Sequence, residues 1–244
     1  MKIKQSVTLV LGCLLVFAAS STFAAKYKVL SGGVKDGGSV SGRISYDGTA
    51  PAPEILKLDE DIEACGGDRP SDALVVGGNG GIQNVVLSIE KIAKGKDWDF
   101  PQEFTYDQKN CSFVPRIMLI KSKMAGVVLN SDSIGHNFHT ISKGVFNINK
   151  KIQSGSKLVV KNNKIRKTGM VRVKCDIHSW MRGYWVVAKT PYTVLSDADG
   201  NFSIADIPPG NYTLKIWHEK LGESKQKFEV KKGGATKIDV ALKL

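Results

Sequence analysis

Cys175-Asp176-Ile177-His178-Ser179-Trp180-Met181 puts a thiol, an imidazole and a thioether on one short loop. Sulfur donors beside imidazole suit copper, and with one further histidine they form the ligand set of an electron-transfer copper site. The candidate partner is His136, within Asn130-Ser131-Asp132-Ser133-Ile134-Gly135-His136-Asn137-Phe138-His139 and 39 residues upstream of Cys175. That distance allows several strands to fold back, so one metal ion would tie together two separated loops.

The loop is framed by strand signals, Met170 to Lys174 leading in and Tyr184 to Ala188 leading out. Other short β-branched or alternating runs are Val40 to Tyr46, Asn84 to Ile89, Arg116 to Lys121, Gly126 to Leu129 and Leu158 to Lys161. Gly, Pro, Asn and Asp separate them, which is the signature of strands joined by turns. Helical periodicity is confined to Asp59 to Ala64 and Ser88 to Ala93, each long enough for a turn or two. Beyond Pro191, Tyr192 to Leu195, Phe202 to Ile204, Tyr212 to His218, Lys227 to Lys231 and Lys237 to Ala241 read as five more strands. Asp197-Ala198-Asp199-Gly200 reads as a hairpin turn, since it lacks the remaining ligands of a calcium loop. The expected class is all-β.

From about Phe104 to Ala188 the chain resembles a cupredoxin, nearest the amicyanin and plastocyanin branch of blue copper domains. The residues that carry the resemblance are Asn130-Ser131-Asp132, His136-Asn137-Phe138-His139 and the run from Cys175 to Gly183. It implies a Greek-key β-sandwich and one copper ion in a type 1 site, with His136, Cys175 and His178 equatorial and Met181 axial. By the same resemblance Asn137 fastens the two ligand loops. Relatives usually carry proline at the position of Ile177, which retains a backbone N–H. Pointed at the Cys175 sulfur, that N–H would stabilise reduced copper and raise the reduction potential.

After Pro191 the chain resembles the carboxypeptidase regulatory-like, transthyretin-like sandwich, through Asp199-Gly200-Asn201-Phe202, Ile207-Pro208-Pro209-Gly210-Asn211-Tyr212 and Leu214. The expected organisation is a signal peptide at 1–24, an N-terminal β extension at 25–103, the cupredoxin-like domain at 104–188 and a small C-terminal β-sandwich at 189–244. The last is short for its fold. Gly38 to Asp47 is an alternative source of its missing strands, which would make the copper domain an insertion.

The first residues read as an export signal: Lys2 and Lys4, an apolar run from Val7 to Ala19, and Thr22-Phe23-Ala24 for cleavage. Export to the periplasm and an oxidising compartment follow, with no transmembrane segment after removal of the signal. Cys13 leaves with the signal, so Cys65 and Cys111 are expected as a disulfide and Cys175 as the free thiolate. A buried, inert Cys175 is the alternative. The formal charge is +12 and unevenly spread: ten Lys and Arg with no acid between Lys143 and Lys174, against seven acids between Glu54 and Asp72. A basic face steers acidic partners, or else serves solubility alone. Nucleic acid is not an expected partner of an exported chain.

The leading expectation is a periplasmic one-electron carrier, with His178, if solvent-edged, as the electron port and an acidic redox protein, such as a c-type cytochrome or a dehydrogenase, as partner. Copper storage or delivery is the alternative, as is an envelope-binding module whose metal is structural. An enzyme is not expected, because no Ser-His-Asp or Walker-type pattern is present. His139 is expected to point away from the metal, since positions 136 and 139 of a strand face opposite ways. His218 is read as a surface or packing residue, and Trp180 as core, a cover for the metal or part of a docking face.

Overall fold

The computed structural model describes residues 27–244; the expected signal peptide lies outside the described residues. Among the described residues the protein is all-β apart from one short helix, Ile62–Cys65. No helix among the described residues is long and apolar enough to cross a membrane.

Two sandwiches, each with its own apolar core, account for nearly all strands. In the first, a four-stranded sheet runs in the order Lys157–Val160, Ala125–Asn130, Glu103–Gln108, Phe113–Val114. It faces a five-stranded sheet ordered Ile148–Ile152, His136–Ser142, Gly169–Lys174, Arg182–Ala188, Ile117–Lys121. Alternation drives this packing, because successive side chains of a strand face opposite ways. Phe104 and Tyr106 of one sheet meet Phe138 and Trp185 of the other, and all four rings are buried. The approach is so close that a Cβ at Gly183 would collide with the Tyr106 hydroxyl. Glycine is therefore required beside the ligand loop.

The second sandwich draws on both ends of the described chain. One sheet is ordered Thr193–Leu195, Val86–Ser88, Gly210–His218, Gly222–Val230; the other Asn201–Ile207, Gly38–Tyr46, Ala235–Lys237, with Val240–Leu242 also against Gly38–Tyr46. Val40, Ile44 and Leu87 thus share a core with Phe202, Ile204, Leu214 and Ile216. Residues 25–103, expected as an N-terminal extension, supply central strands to the module expected at 189–244. The physical reason is that the terminal strands alone leave an apolar face uncovered, and Gly38–Tyr46 covers it.

Two local expectations are corrected. Residues 88–93 form no helix, because Val86–Ser88 is a fully buried central strand whose pairing takes the backbone. The Asp197 turn is not a hairpin joining paired strands. It passes the chain between the two sheets, with Asp197 accepting the N–H groups of Asp199 and Asn201 at 2.9 and 2.8 Å.

The sandwiches meet through Val86, Ile117 and Val186, with Tyr184 edge-on to Trp217 at 5.2 Å between ring centroids. Arg116 donates to both carboxylate oxygens of Glu219 and also pairs with Asp72. The acidic stretch 54–72 is therefore a strap rather than a solvated run. It is held by the Ile55–Leu56 and Arg69–Pro70 pairing, by Arg69 donating to the carbonyls of Asn110 and Cys111, and by the Cys65–Cys111 disulfide.

Candidate metal centre

His136 opens the strand His136–Ser142, and Cys175 follows the last residue of Gly169–Lys174. These strands are antiparallel neighbours with His139 opposite Lys174, so the two residues emerge at the same end of the sandwich. Asn130 shapes the approach to His136: its side-chain amide donates to the carbonyls of Ile134 and Ile152 at 2.8 and 2.9 Å, and its oxygen accepts the Asp132 N–H at 3.1 Å. The second loop closes on itself, Met181 N–H donating to the His178 carbonyl at 3.1 Å and Cys175 N–H to the Met181 carbonyl at 3.2 Å.

These constraints bring His136, Cys175 and His178 together, their donor atoms within 4.8 Å of one another. His136 and His178 are 0% exposed and Cys175 3%. Met181 is buried on the same loop. The imidazole Nδ1 atoms face each other at 2.9 Å, and the Cys175 Sγ lies 3.7 Å from the Nδ1 of His178. His139 turns outward to Asp176 instead, Nδ1 to carboxylate at 2.9 Å.

Each imidazole is held from behind by a carboxylate. His136 Nε2 lies 2.7 Å from Asp132, and His178 Nε2 lies 2.9 Å from Asp61. A carboxylate accepts, so each Nε2 carries the proton and each Nδ1 presents a lone pair. Burial pushes the His136 imidazole below its usual pKa, against the opposing pull of Asp132, which favours the neutral form that can bind a metal. Two buried lone pairs facing at hydrogen-bond distance, with sulfur beside them, require a proton or a metal ion between them. Nitrogen, nitrogen and thiolate sulfur at this spacing fit copper or zinc, and the thioether of Met181, buried on the same loop, favours copper.

Asp132 also accepts the N–H groups of Asn110 and Cys111 at 2.6 and 2.8 Å, joining the His136 loop to the disulfide. Sequence reasoning assigns no such role to Asp61 or Asp132. Asp132 lies within the quoted His136 run, whereas Asp61 is 117 residues from its histidine and gives no local signal.

Two sequence expectations change here. Ile177 is 39% exposed, and the N–H groups serving the Cys175 sulfur are those of Asn137 at 3.3 Å and His178 at 3.5 Å. The turn carries the third residue after the cysteine over the sulfur, not the second. His178 is likewise no exposed port. The strap covers it through Asp61, and the buried Trp180 packs beside it at 5.1 Å, donating its indole N–H to the Cys111 carbonyl at 3.1 Å. Asn137 does join the loops, its side-chain oxygen accepting the Asp176 N–H at 3.3 Å.

Residues 179–243 match the carboxypeptidase regulatory-like domain. That stretch holds most strands of the second sandwich together with Arg182–Ala188 of the first. Among solved structures, the chain is similar to a purple cupredoxin from Nitrosopumilus maritimus at 17% identity, covering 35% of this chain and 100% of that one with a TM-score of 0.30. A copper-containing nitrite reductase from Thermus scotoductus SA-01 aligns at 21% identity over 39% of this chain and 24% of its own, TM-score 0.32. A mutant of amicyanin with Cu(I) aligns at 15% identity over 36% of this chain and 84% of its own, TM-score 0.31. The sequence matches no curated protein.

Proposed function

We propose that this protein is a periplasmic type 1 copper protein that carries single electrons. One observation supports this above the others: the buried convergence of the His136 and His178 Nδ1 atoms with the Cys175 sulfur, preformed by hydrogen bonds from outside the donor set. Bound copper would supply a one-electron couple, with His136, Cys175 and His178 as its strong ligands and Met181 as the weak one. The chain's own part is to hold those donors still in a dry place. Asp132 and Asp61 fix the imidazoles, and the Asn137 and His178 N–H groups steady the thiolate. A site that does not rearrange favours rapid electron exchange. It also opposes the alternative of copper delivery, because handing over the ion needs an accessible ligand edge.

Export rests on the signal-like residues 1–24, and the Cys65–Cys111 disulfide suits an oxidising compartment. The test is to add Cu(II) to the mature protein and record the visible spectrum. An intense thiolate-to-copper band is expected, and it is expected to vanish in Cys175→Ala. No band, or a band that survives the substitution, refutes the assignment. Tight colourless binding of zinc alone would point to a structural metal.

A further inference from the structure

The face of the sandwich that carries His178 is closed, and it is closed by acids. Asp61 reaches the His178 Nε2 from a strap that also presents exposed Asp59, Glu60 and Glu63. The Cys65–Cys111 disulfide fastens that strap to the first sandwich. Beside Cys175 a cleft of about 300 Å³ opens, lined by Arg172, Lys174, Cys175, Asp176, Ser179 and Arg182. Arg172 and Lys174 alternate with the buried Val171 and Val173 along one strand, and Lys174 stands opposite Arg182 on the next. The register therefore gathers three cations on the outer face of the sheet, immediately below the ligand loop.

Lys174 is engaged by Asp176 at 2.7 Å, while among the described residues neither Arg172 nor Arg182 makes an ion pair. Asp176 is further held by His139 and Asn149, both at 2.9 Å, so the rim of the cleft is fixed rather than loose. Two unpaired guanidiniums beside a metal-ligating cysteine are arranged to receive carboxylates. The same carboxylates would be repelled from the strap.

From this we infer that electrons enter and leave through the Cys175 side, and that the partner docks an acidic protein surface on Arg172 and Arg182. The inference rests on the copper reading above. In the step itself one electron leaves the partner's reduced centre and reduces the oxidised centre held by Cys175. No bond forms or breaks, and no proton moves. Cys175 itself lines the cleft, so the route from the docked surface to the ligand is direct.

The test mixes the copper-loaded, oxidised protein with a reduced, acidic c-type cytochrome in a stopped-flow instrument over a range of ionic strengths. Arg172→Glu/Arg182→Glu is expected to slow the second-order reaction roughly tenfold at low salt and to flatten its salt dependence, with the visible band unmoved. Lys227→Glu/Lys231→Glu makes the same charge change on exposed residues of the second sandwich and is expected to matter far less. A second readout uses metal-free protein: hexaglutamate peptide is expected to shift the amide NMR signals of residues 172–176 and 179–183. Equal slowing by both double variants, no slowing by either, or shifts confined to residues 57–65 would overturn the inference. A visible band with unchanged rates refutes the docking face alone, whereas a missing band in the unsubstituted protein refutes the copper reading and the entry route with it.

Discussion

Asp61 and Asp132 stand in the same relation to the two imidazoles, each accepting from Nε2–H and leaving Nδ1 as the inward donor. Asp61 does so from the left-handed region, at φ 48°, which aspartate and asparagine tolerate better than most residues. Its negative charge should favour the more positive, oxidised form of a bound copper. Asp61→Asn keeps the backbone preference and an acceptor oxygen while removing the charge. It is expected to raise the reduction potential by on the order of tens of millivolts, read by voltammetry of the copper-loaded protein. An unchanged potential would show that Asp61 acts by shape alone. The donors themselves are legible in the sequence because Cys175, His178 and Met181 share one loop and His136 sits in a recognisable run. Asp61 is not, because its relation to His178 exists only once a distant strap has folded over the loop.

At the scale of elements, strands are readable wherever apolar residues alternate, as in Gly38–Tyr46 and Gly169–Lys174. Ile148–Ile152 escapes such a reading because its middle is Asn-Lys-Lys and its pairing comes from its neighbour His136–Ser142. That neighbour stands out for its ligands and not for its alternation. The strap has the composition of a solvated run, seven acids in 19 residues, yet Arg69, Arg116 and the disulfide turn it into a roof. The Cys65–Cys111 link spans 46 residues of sequence. Chain-entropy arguments assign a loop of that length about 4 kcal/mol. Cys65→Ser/Cys111→Ser is therefore expected to lower the unfolding free energy of the metal-free protein by about that amount, measured by urea denaturation. A loss below about 1 kcal/mol would mean that the hydrogen bonds from Arg69 and Trp180 hold the strap without the disulfide.

Over the whole molecule, the second sandwich is assembled from strands on both sides of the first, so the two must stay in register where they meet. His218 lies at that junction. It is 3% exposed, its Nδ1 accepts the Lys220 N–H at 3.3 Å, and its neighbours Trp217 and Glu219 contact Tyr184 and Arg116 of the first sandwich. Burial, helped by the Arg116 guanidinium, pushes the His218 imidazole down to about 4. In the unfolded chain the same group titrates near the ordinary value of roughly 6.5. Between those values the unfolded state binds the extra proton and the folded state does not, so stability must fall as pH falls through that window. Above it both states are neutral and His218 contributes no pH dependence; below it both are protonated and the loss is complete. The full loss is on the order of 3 kcal/mol. Carboxylates titrating in the lower part of the window contribute their own slope, so the comparison is with His218→Asn, which keeps an acceptor for Lys220 and cannot take up the proton. Urea unfolding of the metal-free protein at a series of pH values is expected to give the unsubstituted chain the steeper decline between about pH 6.5 and 4. Parallel curves would mean that His218 meets water or a counter-charge when protonated, and that the junction opens before the sandwiches do.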